Sequence, residues 1–198
     1  MKKFELTTEF ITNAAGKKLF RIKAVVEFGD VKAGELGGYV EKEGNVSQDG
    51  NAEVSSNAEV YGDAQVCGNA KVCGDAQVYG NAWVFGNALV YGNARVYNNA
   101  WVFGDAQVTG NAKVCGDAQV SGNTDYALAQ GFGTKFRCTT FYRDKNKKIM
   151  VNCGCFHGDL EEFRKQVKET RSGKIAKEYL MIADLMEYHF ASEDSGDE

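Results

Sequence analysis

A six-residue spacing governs the chain from Asp49 to Val120. Valine recurs at every sixth position from Val54 to Val120, twelve times without a slip. An alanine stands two residues before each of these valines, from Ala52 to Ala118, and Asn or Asp stands before each alanine. Glycine comes before that, except at Ser56 and Asn98. The unit is Gly-(Asn/Asp)-Ala-x-Val-x, and self-similarity this strict marks a stacked repeat. Alanine and valine two apart face the same side of a short strand, which makes that side the interior. A small residue beside a medium one implies a narrow core. Gly followed by Asn or Asp reads as a corner, because these residues reach positive φ at the least cost. Each hexad therefore predicts one short strand and one corner. Only the two x positions are free to carry function.

Composition narrows the classes. A net charge of −4 over 198 residues gives no basic footprint for nucleic acid. No apolar run spans a bilayer, and Met1-Lys2-Lys3-Phe4-Glu5 lacks a signal-peptide core, so a cytoplasmic protein is expected. In that compartment the six cysteines read as thiols rather than a disulfide framework. The absence of proline suits strand ladders.

The flanks break the period. Residues 1–40 predict an N-terminal β cap, with strands over Phe4–Phe10 and Leu19–Phe28 around an Asn13–Gly16 turn. Gly37-Gly38-Tyr39-Val40 and Gly44-Asn45-Val46 are degenerate hexads. The step from Val46 to Val54 is eight residues, so two extra residues bulge out near Ser47 and Gln48. Residues 41–123 form the repeat, and 124–191 predict a C-terminal α+β module. In it, Lys135–Arg143 and Lys148–Phe156 make a hairpin around Asp144–Lys147. Asp159 caps a helix from Leu160 with the apolar stripe Leu160, Phe163 and Val167. A second helix covers Ile175–Phe190, with Tyr179, Ile182, Met186 and Phe190 on one side. The acidic tail 192–198 is expected to be disordered. Capping the solenoid ends is the plain role of both flanks.

Over residues 44–123 the unit resembles that of the hexapeptide-repeat superfamily. The resemblance implies a left-handed parallel β-helix with three hexads per coil, and so four coils from the twelve hexads. At about 4.8 Å per coil the prism would be about 20 Å tall. Lys3-Phe4-Glu5-Leu6-Thr7, Gly29-Asp30-Val31, Gly37-Gly38 and Cys153-Gly154-Cys155-Phe156 extend the likeness. With them the chain as a whole resembles phage and prophage proteins labelled polymer-forming or hexapeptide-repeat. That resemblance implies a phage setting in a host cytoplasm and no established activity. The role expected on it is a non-catalytic scaffold that interferes with a host process, an anti-defence protein acting on a host enzyme or a signalling nucleotide.

The superfamily's acyltransferases resemble the chain in coil design and use a histidine at a cleft between subunits. Both histidines here, His157 and His189, lie outside the coils, and no long loop interrupts them. An acyltransferase is therefore the alternative rather than the expectation, as is a structural self-assembling polymer. No cofactor or metal is expected. Only four of the twelve corners are Asp, too few for calcium. Outward threonine occurs once in the coils, at Thr109, which excludes a threonine ice-binding array. A hairpin turning at Asp144–Lys147 would set Cys138 opposite Cys153, with Cys155 and His157 following, but Cys-x-Cys is not the usual zinc spacing.

If three hexads close a coil, residues eighteen apart share a face. One column then reads Gln65, Trp83, Trp101, Gln119, and its neighbour Cys67, Phe85, Phe103, Ser121. A second face stacks Tyr61, Tyr79 and Tyr97 and ends at Cys115; a third carries Leu89 and Tyr91. Exposed aromatic patches mark interfaces. Trp83, Phe85, Trp101, Phe103, Tyr61, Tyr79 and Tyr97 are the candidate binding residues. Three occupants fit them: the C-terminal helices, further copies in a homo-oligomer with a trimer favoured, or a host protein or nucleotide-like molecule stacked on the rings.

Overall fold

The computed structural model describes residues 2–191, so the tail expected to be disordered lies outside the described residues. The chain divides into two compact units, residues 1–123 and 124–198.

The first unit is a parallel β-solenoid. Each hexad forms a two-residue strand on its x-Val pair, from Glu53–Val54 to Gln119–Val120. Glu59 pairs with Gln77, Gln65 with Trp83 and Leu89 with Gln107, so stacked partners stand 18 residues apart. The result is three parallel ladders. Backbone amides complete them: Trp83 N donates to Ala100 O at 2.9 Å and Phe85 N to Val102 O at 3.0 Å. Every repeat alanine and valine is at most 2 % exposed. Burying a valine side chain contributes about 1.5–3 kcal/mol. Twelve such valines, with their alanines, make the buried column a principal driving force beside the backbone ladders.

The corners differ from the expectation in a useful way. Positive φ falls on the glycine, near +70° from Gly50 to Gly116, and not on the Asn or Asp after it. Where glycine is missing, Ser56 (φ 59°) and Asn98 (φ 61°) take the same conformation. Glycine is demanded twice over: a Cβ on Gly86 would sit 2.9 Å from Gly104 N in the next coil. The Asn and Asp side chains have another task. Asn51 donates to Asn69, Asn69 to Asn87 and Asn87 to Asp105, at 3.1, 3.1 and 3.0 Å. On another edge Asn81 donates to Asn99 and Asn99 to Asp117, at 3.2 and 3.1 Å. A carboxylate can only accept, so Asp105 and Asp117 end their ladders.

The degenerate hexads lengthen the solenoid. Tyr39 and Val40 pair in parallel with Glu59 and Val60, and Val46 bridges Val66. The body therefore has about five turns rather than four. The extra residues at 47–48 are functional in the fold, because Gln48 grips the N-terminus. Its Oε1 accepts from Lys3 N at 2.7 Å and Phe4 N at 3.2 Å, while Nε2 donates to Phe4 O at 3.1 Å. Strands Phe4–Thr12 and Lys18–Ala24 form an antiparallel hairpin that continues into Leu36–Val40 and so into one ladder, making a seven-stranded sheet. The second strand stops at Ala24, short of Phe28. Asn45, fully buried, donates to Gly62 O and Ala64 O and closes the lower edge.

The second unit is a four-stranded antiparallel sheet in chain order, Tyr126–Phe132, Arg137–Arg143, Ile149–Cys153 and Phe156–Asp159. Helices α1 (Leu160–Thr170) and α2 (Gly173–Phe190) pack with it around Phe141, Val151, Phe163, Ala183 and Met186. Asp159 caps α1: its carboxylate accepts from Glu162 N at 2.8 Å, and the Glu162 carboxylate accepts in turn from Asp159 N at 2.9 Å. The Tyr126–Phe132 strand, and the break at Gly154 that separates Phe156–Asp159, were not in the sequence expectation. The turn after Arg143 is one residue longer than expected, with Lys147 at φ 63° and Arg143 paired to Ile149. Thr139, not Cys138, therefore stands opposite Cys153.

Candidate functional site

The outward x positions decide what each ladder offers. On the tryptophan ladder, Gln65, Trp83, Trp101 and Gln119 stack in register. Trp83 and Trp101 are 38 % and 43 % exposed, the two largest apolar side chains on the coils. Their rings lie 6.1 Å apart at 30°, while Phe85 and Phe103 stack at 5.1 Å and 5°. Phe85 also meets both indoles edge-on, at 6.5 and 5.9 Å. The four rings form one connected patch, and its own columns carry no charge.

The tyrosine ladder is built differently. Tyr61, Tyr79 and Tyr97 stack at 4.9 and 5.0 Å, within 2–4° of parallel. Neighbouring rings so close leave no room for an inserted base, which would have to meet ring edges instead. Burial, reinforced by Tyr79, pushes the Tyr61 phenol up to about 12, and burial also raises Tyr79. The column beside these rings is Glu59, Gln77, Arg95, Lys113. Covering that face would desolvate charge, which is costly. Covering the tryptophan face strips water mainly from rings and amides. The third face mixes Glu53, Lys71, Leu89 and Gln107, with Lys71 ion-paired to Asp30. The structure thus brings Trp83, Phe85, Trp101 and Phe103 together and sets Tyr61, Tyr79 and Tyr97 apart on another face.

Cys115, at an outward position like Cys67 and Cys73, is buried at 2 % exposure. The Cys138–Cys153 pairing that a shorter turn would give does not form. Cys153 Sγ accepts from Thr139 Oγ1 at 3.1 Å, Cys155 is exposed, and no group of three metal-binding side chains occurs among the described residues. His157 is exposed, with Nε2 3.0 Å from the Tyr142 hydroxyl; His189 is exposed on α2, its ring against Phe190. Sequence reasoning passed over a second apolar surface. Met181, Leu185 and Tyr188 on α2 are 61, 59 and 83 % exposed. Their i, i+4, i+7 spacing was the available signal.

A family model described as the YdcK beta solenoid repeat matches residues 76–92 and 88–104. The matched span includes Tyr79, Trp83, Phe85, Tyr97, Trp101 and Phe103. Comparison with curated proteins finds no match. Register, ladders and repeat together define a β-solenoid repeat protein. No helix among the described residues is long and apolar enough to cross a membrane.

Proposed function

We propose that the protein is a non-catalytic scaffold whose solenoid associates with further copies of itself through the tryptophan face. The solenoid is taken to be the left-handed, three-hexad coil of the hexapeptide-repeat superfamily. The observation that carries the reading is the patch of exposed Trp83 and Trp101 packed with half-buried Phe85 and Phe103, whose columns carry no charge. Tryptophan is the residue most enriched at interface hot spots, and large apolar patches on soluble chains are seldom left bare. The tyrosine ladder, with its rings engaged by one another, serves as a spine. The phage-encoded, cytoplasmic setting belongs to the same proposal, in keeping with six free cysteines. Within it, the assembled scaffold would act on a host component by binding rather than by chemistry.

The two tryptophans are the only ones in the chain, so selectively excited tryptophan fluorescence reads this face alone. Self-association shifts the emission maximum to the blue as concentration rises from nanomolar to micromolar. Emission that stays constant across that range, with a monomer mass throughout, refutes the interface. A shift that occurs only on adding host lysate replaces the second copy with a foreign partner.

A further inference from the structure

The second unit contains a cleft of about 330 Å³ between the sheet and the two helices. Phe156, Phe163, Val167 and Tyr179 make its apolar part. Lys135, Arg137 and Arg171 also line it, and no carboxylate does. That is unusual in a chain of net charge −4. Among the described residues none of the three cations is held in an ion pair, although Arg164 nearby on α1 binds Glu161, Asp184 and Glu187. Carboxylates are available, then, and this cleft is without them. Glu162 and Glu169 line only the shallow depression adjoining it.

The cations converge. Arg137 lies against the Gly154 backbone, where an added Cβ would come within 2.3 Å of Nη1. Arg171 Nη1 donates to Thr170 O at 3.0 Å, at the end of α1. Both guanidinium charges bear on the Tyr179 hydroxyl, opposing the burial that raises its pKa. That hydroxyl donates to Phe132 O at 3.4 Å and also meets the Cys153 thiol. The rim is also strained. Phe136 sits between Lys135 and Arg137 with φ 48° and is 68 % exposed, a conformation that bulky side chains avoid. Such strain persists where the surrounding structure enforces it, and it gathers at ligand clamps.

We infer that this cleft binds a small organic anion with a planar apolar body. The ring would rest on Phe156, Phe163 and Tyr179, and the carboxylate or phosphate would face Arg137 and Arg171, with Lys135 at the rim. The volume is at the small end of ligand pockets, which suits a ligand of mononucleotide size or less. Arginine supplies the fork that planar anions take up.

The test is a titration of the isotope-labelled full chain followed by amide NMR. The probes are AMP with adenosine as its neutral counterpart, and indole-3-carboxylate with indole. Binding of either anion is expected to shift the amides of residues 153–156 and 166–179, saturably and with loss at high salt. The neutral counterpart should bind at least about tenfold more weakly. R137Q/R171Q alters two exposed side chains; it should keep the circular dichroism spectrum and lose affinity at least about tenfold. AMP binding alone would identify a phosphate ligand, and indole-3-carboxylate binding alone a carboxylate. The inference is overturned if neither anion gives a saturable shift up to about 10 mM. It is equally overturned if the neutral counterparts bind as well, or if the folded double variant binds unchanged.

Discussion

Replacing Asn87 by Asp tests whether the corners are hydrogen-bonded ladders or merely turns. Asn87 accepts from Asn69 at 3.1 Å and donates to Asp105 at 3.0 Å. In Asn87→Asp the lower bond survives, because a carboxylate still accepts. The upper bond is lost, at a cost of about 1 kcal/mol for an exposed pair. Two carboxylates are then stacked about 4 Å apart, adding about 1 kcal/mol of repulsion in water. The sum of about 2 kcal/mol corresponds to a fall of roughly 1 M in the urea midpoint. The reverse substitution, Asp105→Asn, keeps an acceptor for Asn87 and removes the charge, so it should be close to neutral. In Asn87→Asp the new carboxyl beside Asp105 has its pKa raised in the folded state. Its penalty is therefore small below about pH 4 and develops as pH rises through the carboxylate range. Urea melts of both variants at pH 3.5 and 7 decide the matter. Equal effects at the two positions, or no dependence on pH, would refute the ladder argument.

Other consequences follow from single residues. Ser56→Gly should raise the stability read from urea melts by about 0.5–1 kcal/mol, and Asn98→Gly by less, because asparagine tolerates φ near +60° better than serine. Gly86→Ala should lower it by about 2 kcal/mol or more, since the new Cβ meets the next coil's backbone. Lys3, buried under the hairpin and donating to Ala52 O at 2.9 Å, has its pKa lowered by burial to about 8. Unfolding therefore takes up a proton between pH 8 and 10.5, so stability rises with pH across that window. Lys3→Met should remove this part of the profile, as read by urea melts at pH 7.5, 9 and 10.5.

The solenoid was legible because one period fixes both the interior and the register. Alanine and valine at fixed positions leave no second face to bury, and sorting the x positions by eighteen gave the aromatic columns directly. The role of the corner residues was not legible. Asn and Asp tolerate positive φ, and only the stacked geometry shows glycine taking that conformation while asparagine bonds along the axis. In the second unit, one extra turn residue around Lys147 shifted the hairpin register and carried Cys138 away from Cys153, since a slip of one reverses every side chain. The Tyr126–Phe132 strand escaped notice because Ala127, Leu128 and Ala129 give no alternation of apolar and polar residues. The cationic cleft draws on three separate segments, near 135, 155 and 171, which no local motif connects.

The central claim is that the tryptophan face holds copies of the chain together. Sedimentation equilibrium on the wild type and on Trp83→Gln/Trp101→Gln tests it most directly, because glutamine already occupies that column at Gln65 and Gln119. The account predicts a discrete multiple of 21.6 kDa for the wild type and 21.6 kDa for the folded variant. A wild type that sediments as the 21.6 kDa monomer at every concentration, or a variant that keeps the wild-type mass, contradicts it.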